Sequence, residues 1–241
     1  MPTGEELLAQ RAHLLFRHNA DERITEFNEP WPWGTRPGPL VYLSRAVGSQ
    51  IVRFRADAPP GLVEAVQAFV DALPLRASLP SEDDGTADAL NAIAAPSVPG
   101  ATGAAGPVFA FPAPLFPLGA IQLYPGTAGL LHPSLVTWAP DLPYARPAFV
   151  AIVDRQAVAI CASVRLTAGA AEAGVETALD YRGRGAAGLA TIAWAEAVRK
   201  AGRTPFYSTS WSNKASLAVA RKLELVPVAE DIRLVEPSPN G

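Results

Sequence analysis

The stretch Leu179-Asp180-Tyr181-Arg182-Gly183-Arg184-Gly185-Ala186-Ala187-Gly188 gathers the residue types that hold an anion. It lies between a run of strand character and a run whose first two turns are apolar almost all round, with Glu196, Arg199 and Lys200 at the far end. A helix that opens here leaves its first backbone N–H groups without intrahelical partners, at the positive end of the helix dipole. Such groups bind phosphate oxygens. Gly183, Gly185, Ala186 and Ala187 are small enough to let a ligand reach the backbone. Arg182 and Arg184 add fixed positive charge.

Several anions fit that description. Gly183-x-Gly185-x-x-Gly188 matches the dinucleotide fingerprint in form, but polar Asp180-Tyr181-Arg182 separates the strand from the first glycine. The acidic residue that should follow about twenty positions on is replaced by Tyr207-Ser208-Thr209-Ser210-Trp211. A P-loop is excluded, because no Gly-Lys-Ser/Thr is present. The plain alternative is a tight turn with surface arginines and no ligand.

The turn must be held by neighbouring elements. Residues 148–153 predict a continuous apolar strand, Asp154-Arg155 a turn, 156–166 a returning strand and 171–178 a third. A helix over about 185–200, a strand over 205–210, a helix over 213–223 and a strand region over 225–235 follow. Antiparallel strands followed by β-α-β-α-β predict an α/β or α+β layered domain.

Upstream, residues 5–18 predict a helix with Leu7, Leu8, His13, Leu14, Leu15 and Phe16 on its apolar side. Residues 40–46 and 50–56 predict strands joined by Ala46-Val47-Gly48-Ser49. Residues 60–73 predict a helix opened by Pro60. Residues 77–106 are rich in Ala, Gly, Pro, Ser and Asp without a convincing period, and are expected to be a linker. Short strands are expected at 107–111 and 120–124. The expected division is therefore 1–104, a smaller α+β region ending in that linker, and 105–241, the domain with the glycine turn.

Composition narrows the classes. Of 241 residues 49% are hydrophobic, enough for a core, and the net charge of −3 gives no reason to expect a nucleic-acid or membrane partner. Cys161 stands alone in an apolar run, so no internal disulfide forms, and burial as a small hydrophobe is expected. His13, His18 and His132 lack metal-ligand spacing, so no metal is expected. The start of the chain shows no basic segment leading into an apolar one, and no apolar run reaches membrane-spanning length. The expectation is a cytoplasmic protein.

Arg182-Gly183-Arg184-Gly185-Ala186-Ala187, at a strand-to-helix turn, resembles the Gln/Arg-x-x-Gly-x-Gly/Ala signature of the GNAT superfamily of N-acetyltransferases. The strand from Tyr207 and the helix that opens with Asn213 and ends Lys222-Leu223-Glu224 resemble the family's second element, a helix that begins with Asn and ends Lys-Leu-Gly. The resemblance covers roughly residues 148–235 and points to bacterial members with an extra N-terminal region. It implies a mixed, mostly antiparallel sheet flanked by helices, with acetyl-CoA as co-substrate and a small-molecule or peptide amine as acceptor.

The resemblance also implies roles. The strand Gly174-Val175-Glu176-Thr177 should splay from its neighbour, so that Val175 and Thr177 pair with the pantetheine arm. The N–H groups from Arg184 to Gly188 should hold the pyrophosphate, Asn213 should contact the cofactor arm, and Ser216 should reach its phosphate end. An amine with a pKa of about 10.4, that of a lysine side chain, arrives as ammonium, so a carboxylate is expected to take its proton. Glu172 and Glu176, four apart on one strand, share a face if no bulge intervenes. Glu172 is the favoured base, and a solvated strand residue is the alternative for each.

The family's usual Tyr, the thiolate's proton donor, is replaced by Ala220, which leaves water or a hydroxyl such as Ser216 for that step. The family's glycine is replaced by Glu224, which predicts a helix end without a left-handed cap. Tyr207 and Trp211 are expected in the core, with the acyl channel as the alternative, and Trp194 in the core, with Trp31 and Trp33 as outside candidates for an acceptor pocket. Two other functions compete: a module that binds acyl-CoA without turnover, and a nicotinamide enzyme. The acceptor's identity and a homodimer both stay open.

Overall fold

A computed structural model describes residues 4–113 and 119–237; the outermost residues of the expected division, 1–3 and 238–241, lie outside that description. The chain opens with helix α1 (Gly4–Leu15), strands β1 (Phe16–His18), β2 (Ile24–Phe27), β3 (Val41–Ala46) and β4 (Ser49–Phe54), and helices α2 (Pro60–Ala72) and α3 (Thr86–Ala94). Strands β5 (Thr102–Ala110) and β6 (Ala120–Gln122) follow, then two 3-10 segments, Pro125–Leu130 and Pro133–Asp141. The C-terminal half holds β7 (Ala148–Val153), β8 (Gln156–Leu166), β9 (Ala170–Thr177), a 3-10 turn Leu179–Tyr181, α4 (Ala186–Lys200), β10 (Thr204–Ser208), α5 (Lys214–Lys222) and β11 (Val226–Val235).

Nine of these strands form one sheet in the order β4-β3-β11-β5-β10-β9-β8-β7-β6. Every neighbouring pair is antiparallel except β9 and β10, which run parallel because α4 crosses between them. The α/β layered architecture expected from the sequence is the one observed.

One face of the sheet carries α1, where Leu8, Ala12 and Leu15 pack with Phe206 and Val108. The other face carries α4 and α5, where Trp194 and Ala220 pack with Tyr207 and Ala171. Alternation along β10 sends Phe206 to the first layer and Tyr207 to the second. Cys161 is buried in the α4 layer, as a small hydrophobe should be, and Trp194 is wholly buried with its Nε1 donating to Ser163 Oγ at 3.0 Å.

The segment expected to be a linker is instead structural. Asp84 Oδ1 accepts from the Thr86 N–H at 3.0 Å, and α3 follows with Ala87, Leu90 and Ala94 buried. A Cβ at Gly103 would come within 2.9 Å of Ala87 O, so the small residues let α3 lie close on β5. β5 itself sits between β10 and β11, antiparallel to both, and runs through the boundary expected at 104. Small-residue composition here serves tight packing, which a periodicity search reads as looseness.

Two local expectations also change. α1 stops at Leu15, and Phe16–His18 leaves as a strand paired with β2 across a turn in which Asn19 Oδ1 accepts from the Asp21 and Arg23 N–H groups. His13, expected on the apolar side, is exposed. At the end of α5, Glu224 takes the left-handed conformation with φ 52°, while Glu224 N–H donates to Arg221 O and Leu225 N–H to Ala220 O. The left-handed cap forms without glycine, at a backbone cost of about 1–2 kcal/mol for a residue with a Cβ.

Candidate active site

β9 and β10 pair only from Ala170 to Glu172 on β9 and from Thr204 to Phe206 on β10; beyond that point the strands part. β10 continues along β5 at Tyr207 and Ser208, while β9 continues along β8 alone. Ala178 donates its N–H to Val158 O on the β8 side. Alternate residues of a strand direct their N–H groups to the same side, so Gly174 and Glu176 also face β8. Val175 and Thr177 therefore turn theirs toward the gap, and the Thr177 carbonyl on that side accepts from Arg182 Nε at 3.4 Å.

The glycine turn closes one end of the gap. Gly183 and Gly185 have φ of 75° and 90°, values that only glycine adopts without strain. Gly185 is the N-cap of α4 and no side chain caps it, so the N–H groups of Ala186, Ala187 and Gly188 face outward from an uncapped first turn. Arg184 is exposed and lies over the Tyr181 ring at 5.3 Å. Lys222 Nζ comes within 3.2 Å of where a Cβ on Gly185 would sit. That lysine, two turns past Asn213, was legible in the sequence as part of the Lys222-Leu223 helix ending and not as a cofactor ligand. The uncapped amides, glycine backbone and lysine fit a diphosphate.

At the other end of the gap Asn213 is the N-cap of α5, its Oδ1 accepting from the Ser216 N–H at 3.0 Å, so Ser216 stands away from the glycine turn and not at the phosphate end expected for it. Tyr207 reaches the same helix, donating from its hydroxyl to Ser216 O at 3.2 Å. Burial pushes the Tyr207 pKa up to about 12, so its proton stays on.

Two cavities meet here. A cavity of about 560 Å³ runs from the glycine turn along Val175, Glu176 and Thr177 to α5. A cavity of about 430 Å³ is lined by Arg165, Glu172, Ser208, Asp231 and Arg233. Val175, Tyr207, Asn213 and Ser216 line both. The gap between the strands is thus a passage from one cavity to the other.

Glu172 is buried, and both its carboxylate oxygens are engaged. Oε2 pairs with Arg11 Nη1, while Oε1 accepts from Arg11 Nη2 at 3.2 Å and from Ser208 Oγ at 2.5 Å. Arg11, fully buried, also donates to Asp231 Oδ2 at 3.0 Å, and Asp231 Oδ1 accepts from Tyr42 and Ser44 at 2.8 Å each. Burial acts to lower the Arg11 pKa, but the Glu172 and Asp231 carboxylates outweigh it and hold the guanidinium charged. Glu176 stands on the same side of β9, since the bulge falls on β8 at Val164, and Trp138 Nε1 donates to its Oε2 at 2.6 Å.

The other aromatic candidates lie elsewhere. Trp211 donates to Glu230 at 2.6 Å and packs with the α2–α3 cluster. Trp31 donates to Glu29, and Trp33 meets the edge of Tyr144; neither lines the two cavities. Ala220 is buried in the core, where the family's tyrosine would stand. Sequence reasoning missed Arg11, Ser208 and Lys222, each of which owes its place to contacts between distant segments.

Residues 148–229 match the family model described as GNAT acetyltransferase. This segment is similar to the GNAT acetyltransferases. The GNAT segment spans β7 to the start of β11 and contains both strands of the gap, the glycine turn and α5. The family model describes an acetyltransferase, and the sheet here is mixed and mostly antiparallel.

Among solved structures the chain is similar to a GNAT-family protein from Novosphingobium aromaticivorans DSM 12444, at 19% identity and a TM-score of 0.45, over 58% of this chain and 69% of that one. It is similar to a GNAT-family acetyltransferase from Colwellia psychrerythraea, at 14% identity and a TM-score of 0.44, over 61% of each chain. It is also similar to a GCN5-related N-acetyltransferase-like protein from Streptococcus suis 89/1591, at 14% identity and a TM-score of 0.46, over 83% of this chain and 84% of that one. No curated protein matches the chain.

Proposed function

We propose that this protein transfers the acetyl group of acetyl-CoA directly to a primary amine. The observation that carries the reading is the parting of β9 from β10 over an uncapped helix N-terminus, which opens a passage between two cavities. When bound, acetyl-CoA supplies an activated thioester. The amides of Ala186, Ala187 and Gly188, with Arg182, Arg184 and Lys222, hold its diphosphate. The N–H groups of Val175 and Thr177 align the arm as an added strand would be aligned. Asn213 and Ser216 border the arm's inner end.

The acceptor amine enters from the other cavity, where Ser208 and Glu172 form its polar wall. Ser208 donates to Glu172, so a proton leaving the ammonium passes to Ser208 Oγ as the Ser208 proton passes to Glu172. Arg11 stays bonded to both groups and keeps them in line. Glu176, on the wall of the cofactor cavity, is the second carboxylate within the site. The departing thiolate takes its proton from water at the junction, directly or through the Ser216 hydroxyl that water reprotonates, in place of the residue that Ala220 does not supply.

Release of CoA thiol is measured over a panel of primary amines for the wild type and for Glu172→Gln and Ser208→Ala. The expected loss of kcat is roughly 100-fold or more in each variant, with acetyl-CoA affinity kept. The second reading, a module that holds acyl-CoA without turnover, is favoured by the full engagement of both Glu172 oxygens. Tight acetyl-CoA binding with no thiol release across the panel would establish it.

A further inference from the structure

The smaller cavity holds more positive charge than the chemistry of proton removal needs. Its wall carries Arg165 and Arg233 beside Glu172 and Asp231. The two carboxylates are already spoken for, because Arg11 bonds to both from behind the wall. Arg233 is not so matched, and Arg165 only in part.

Arg233 lies on the same face of β11 as Asp231, two residues on, and its side chain makes no hydrogen bond or ion pair among the described residues. Arg165 is 12% exposed in its side chain; its Nη1 donates to Val164 O at 2.5 Å, its Nη2 stands 3.4 Å from Glu29, which also serves Arg36 at 2.8 Å, and its guanidinium lies over the Phe27 and Trp31 rings. Its Nε is buried with no hydrogen-bond partner among the described residues. Burial, reinforced by Arg36 and Arg233 and opposed by Glu29 and Glu172, pushes the Arg165 pKa down to about 10. Two guanidinium groups that repel each other in a part-buried cavity are costly to keep unless an anion comes between them. Planar, fixed donors of this kind suit an oxyanion better than any other ligand.

We infer that Arg233 and Arg165 clamp an anionic group, a carboxylate or phosphate, carried by the acceptor amine itself. The inference rests on the acetyl-transfer reading for the word acceptor, but the clamp is a property of the cavity. The acceptor is then a small zwitterion: its oxyanion is held between β8 and β11, and its ammonium is turned toward Ser208. Neutral or purely cationic amines leave the arginine pair unmatched and are poor acceptors.

The test has two arms. In the first, calorimetry without acetyl-CoA follows binding of β-alanine, L-glutamate and O-phosphoethanolamine, each set against the neutral-headed amines β-alaninamide and ethanolamine. The carboxylates and the phosphate distinguish the two sources of anion. At least one anionic probe should bind roughly tenfold or more tightly than its neutral counterpart, Arg233→Gln should erase that preference, and Arg233→Lys should keep part of it. In the second arm, CoA release gives the same ratio in kcat/KM, carried by KM. Equal binding of anionic and neutral probes, or a preference unchanged in Arg233→Gln, overturns the clamp. Absence of CoA release with every amine, while the anion preference persists in the first arm, overturns acetyl transfer and leaves the clamp standing.

Discussion

Arg11 on α1 is ion-paired with Glu172 on β9, although 161 residues separate them in the chain. The contact ties the first helix to the strand that borders both cavities, and its reach to Asp231 ties in β11 as well. The N-terminal region is therefore part of the wall of the GNAT segment's site.

Removing Arg11 should be severe. Arg11→Met leaves Glu172 and Asp231 as buried carboxylates without their cation, a change that costs about 3–5 kcal/mol when one partner of a buried pair is lost. Urea unfolding of the variant should show a midpoint lowered accordingly. An unchanged midpoint would mean that the two carboxylates find water or other donors at no cost.

His18 makes stability depend on pH. It is half-buried, its ring lies 4.8 Å from His13, and neither ring nitrogen has a hydrogen-bond partner among the described residues. Burial first, then His13, lowers its pKa below the ordinary 6.5, with Glu22 opposing and Arg53 adding to the shift. The unfolded chain therefore binds a proton more readily than the folded one as pH falls through the ordinary histidine range. The stability is present above that range and is lost on going below it. Unfolding midpoints should fall between about pH 7 and pH 5, and His18→Leu should flatten that fall. The same slope in the variant would remove His18 from the account.

The mouth of α4 makes a separate demand. Lys222→Gln should weaken acetyl-CoA binding roughly tenfold at low salt, with a smaller difference at high salt, because the lost contact is a screened charge pair. Gly185→Val should weaken it further, since a Cβ there meets Lys222 and φ of 90° strains any residue other than glycine. Calorimetry at two ionic strengths checks both. Equal affinities in the wild type and both variants would place the diphosphate elsewhere.

Much of this was legible in the chain. The apolar runs of β7, β8 and β9, the hairpin at Gly48 and the glycine turn before α4 all follow from local patterns, and those patterns are satisfied within a few residues. The first half of β5, 102–106, was not, because a run of Gly, Ala and Thr carries no alternation and gains its position from α3 lying close at Gly103; only the strand's end overlaps the one expected at 107–111. Arg11 looked like one charged residue on a weakly amphipathic helix. Its role exists only where β9 and β11 bring Glu172 and Asp231 to it. Glu224 shows the converse: a missing glycine predicted a missing cap, yet the backbone bonds of the helix end held the left-handed turn.

The central claim is that the gap between β9 and β10 takes the cofactor's arm as an added strand while the first turn of α4 holds its phosphates. Amide hydrogen exchange with and without CoA tests it most directly. The account predicts slowed exchange at Val175 and Thr177 together with Ala186, Ala187 and Gly188. Saturating CoA that leaves these five amides unchanged would contradict it.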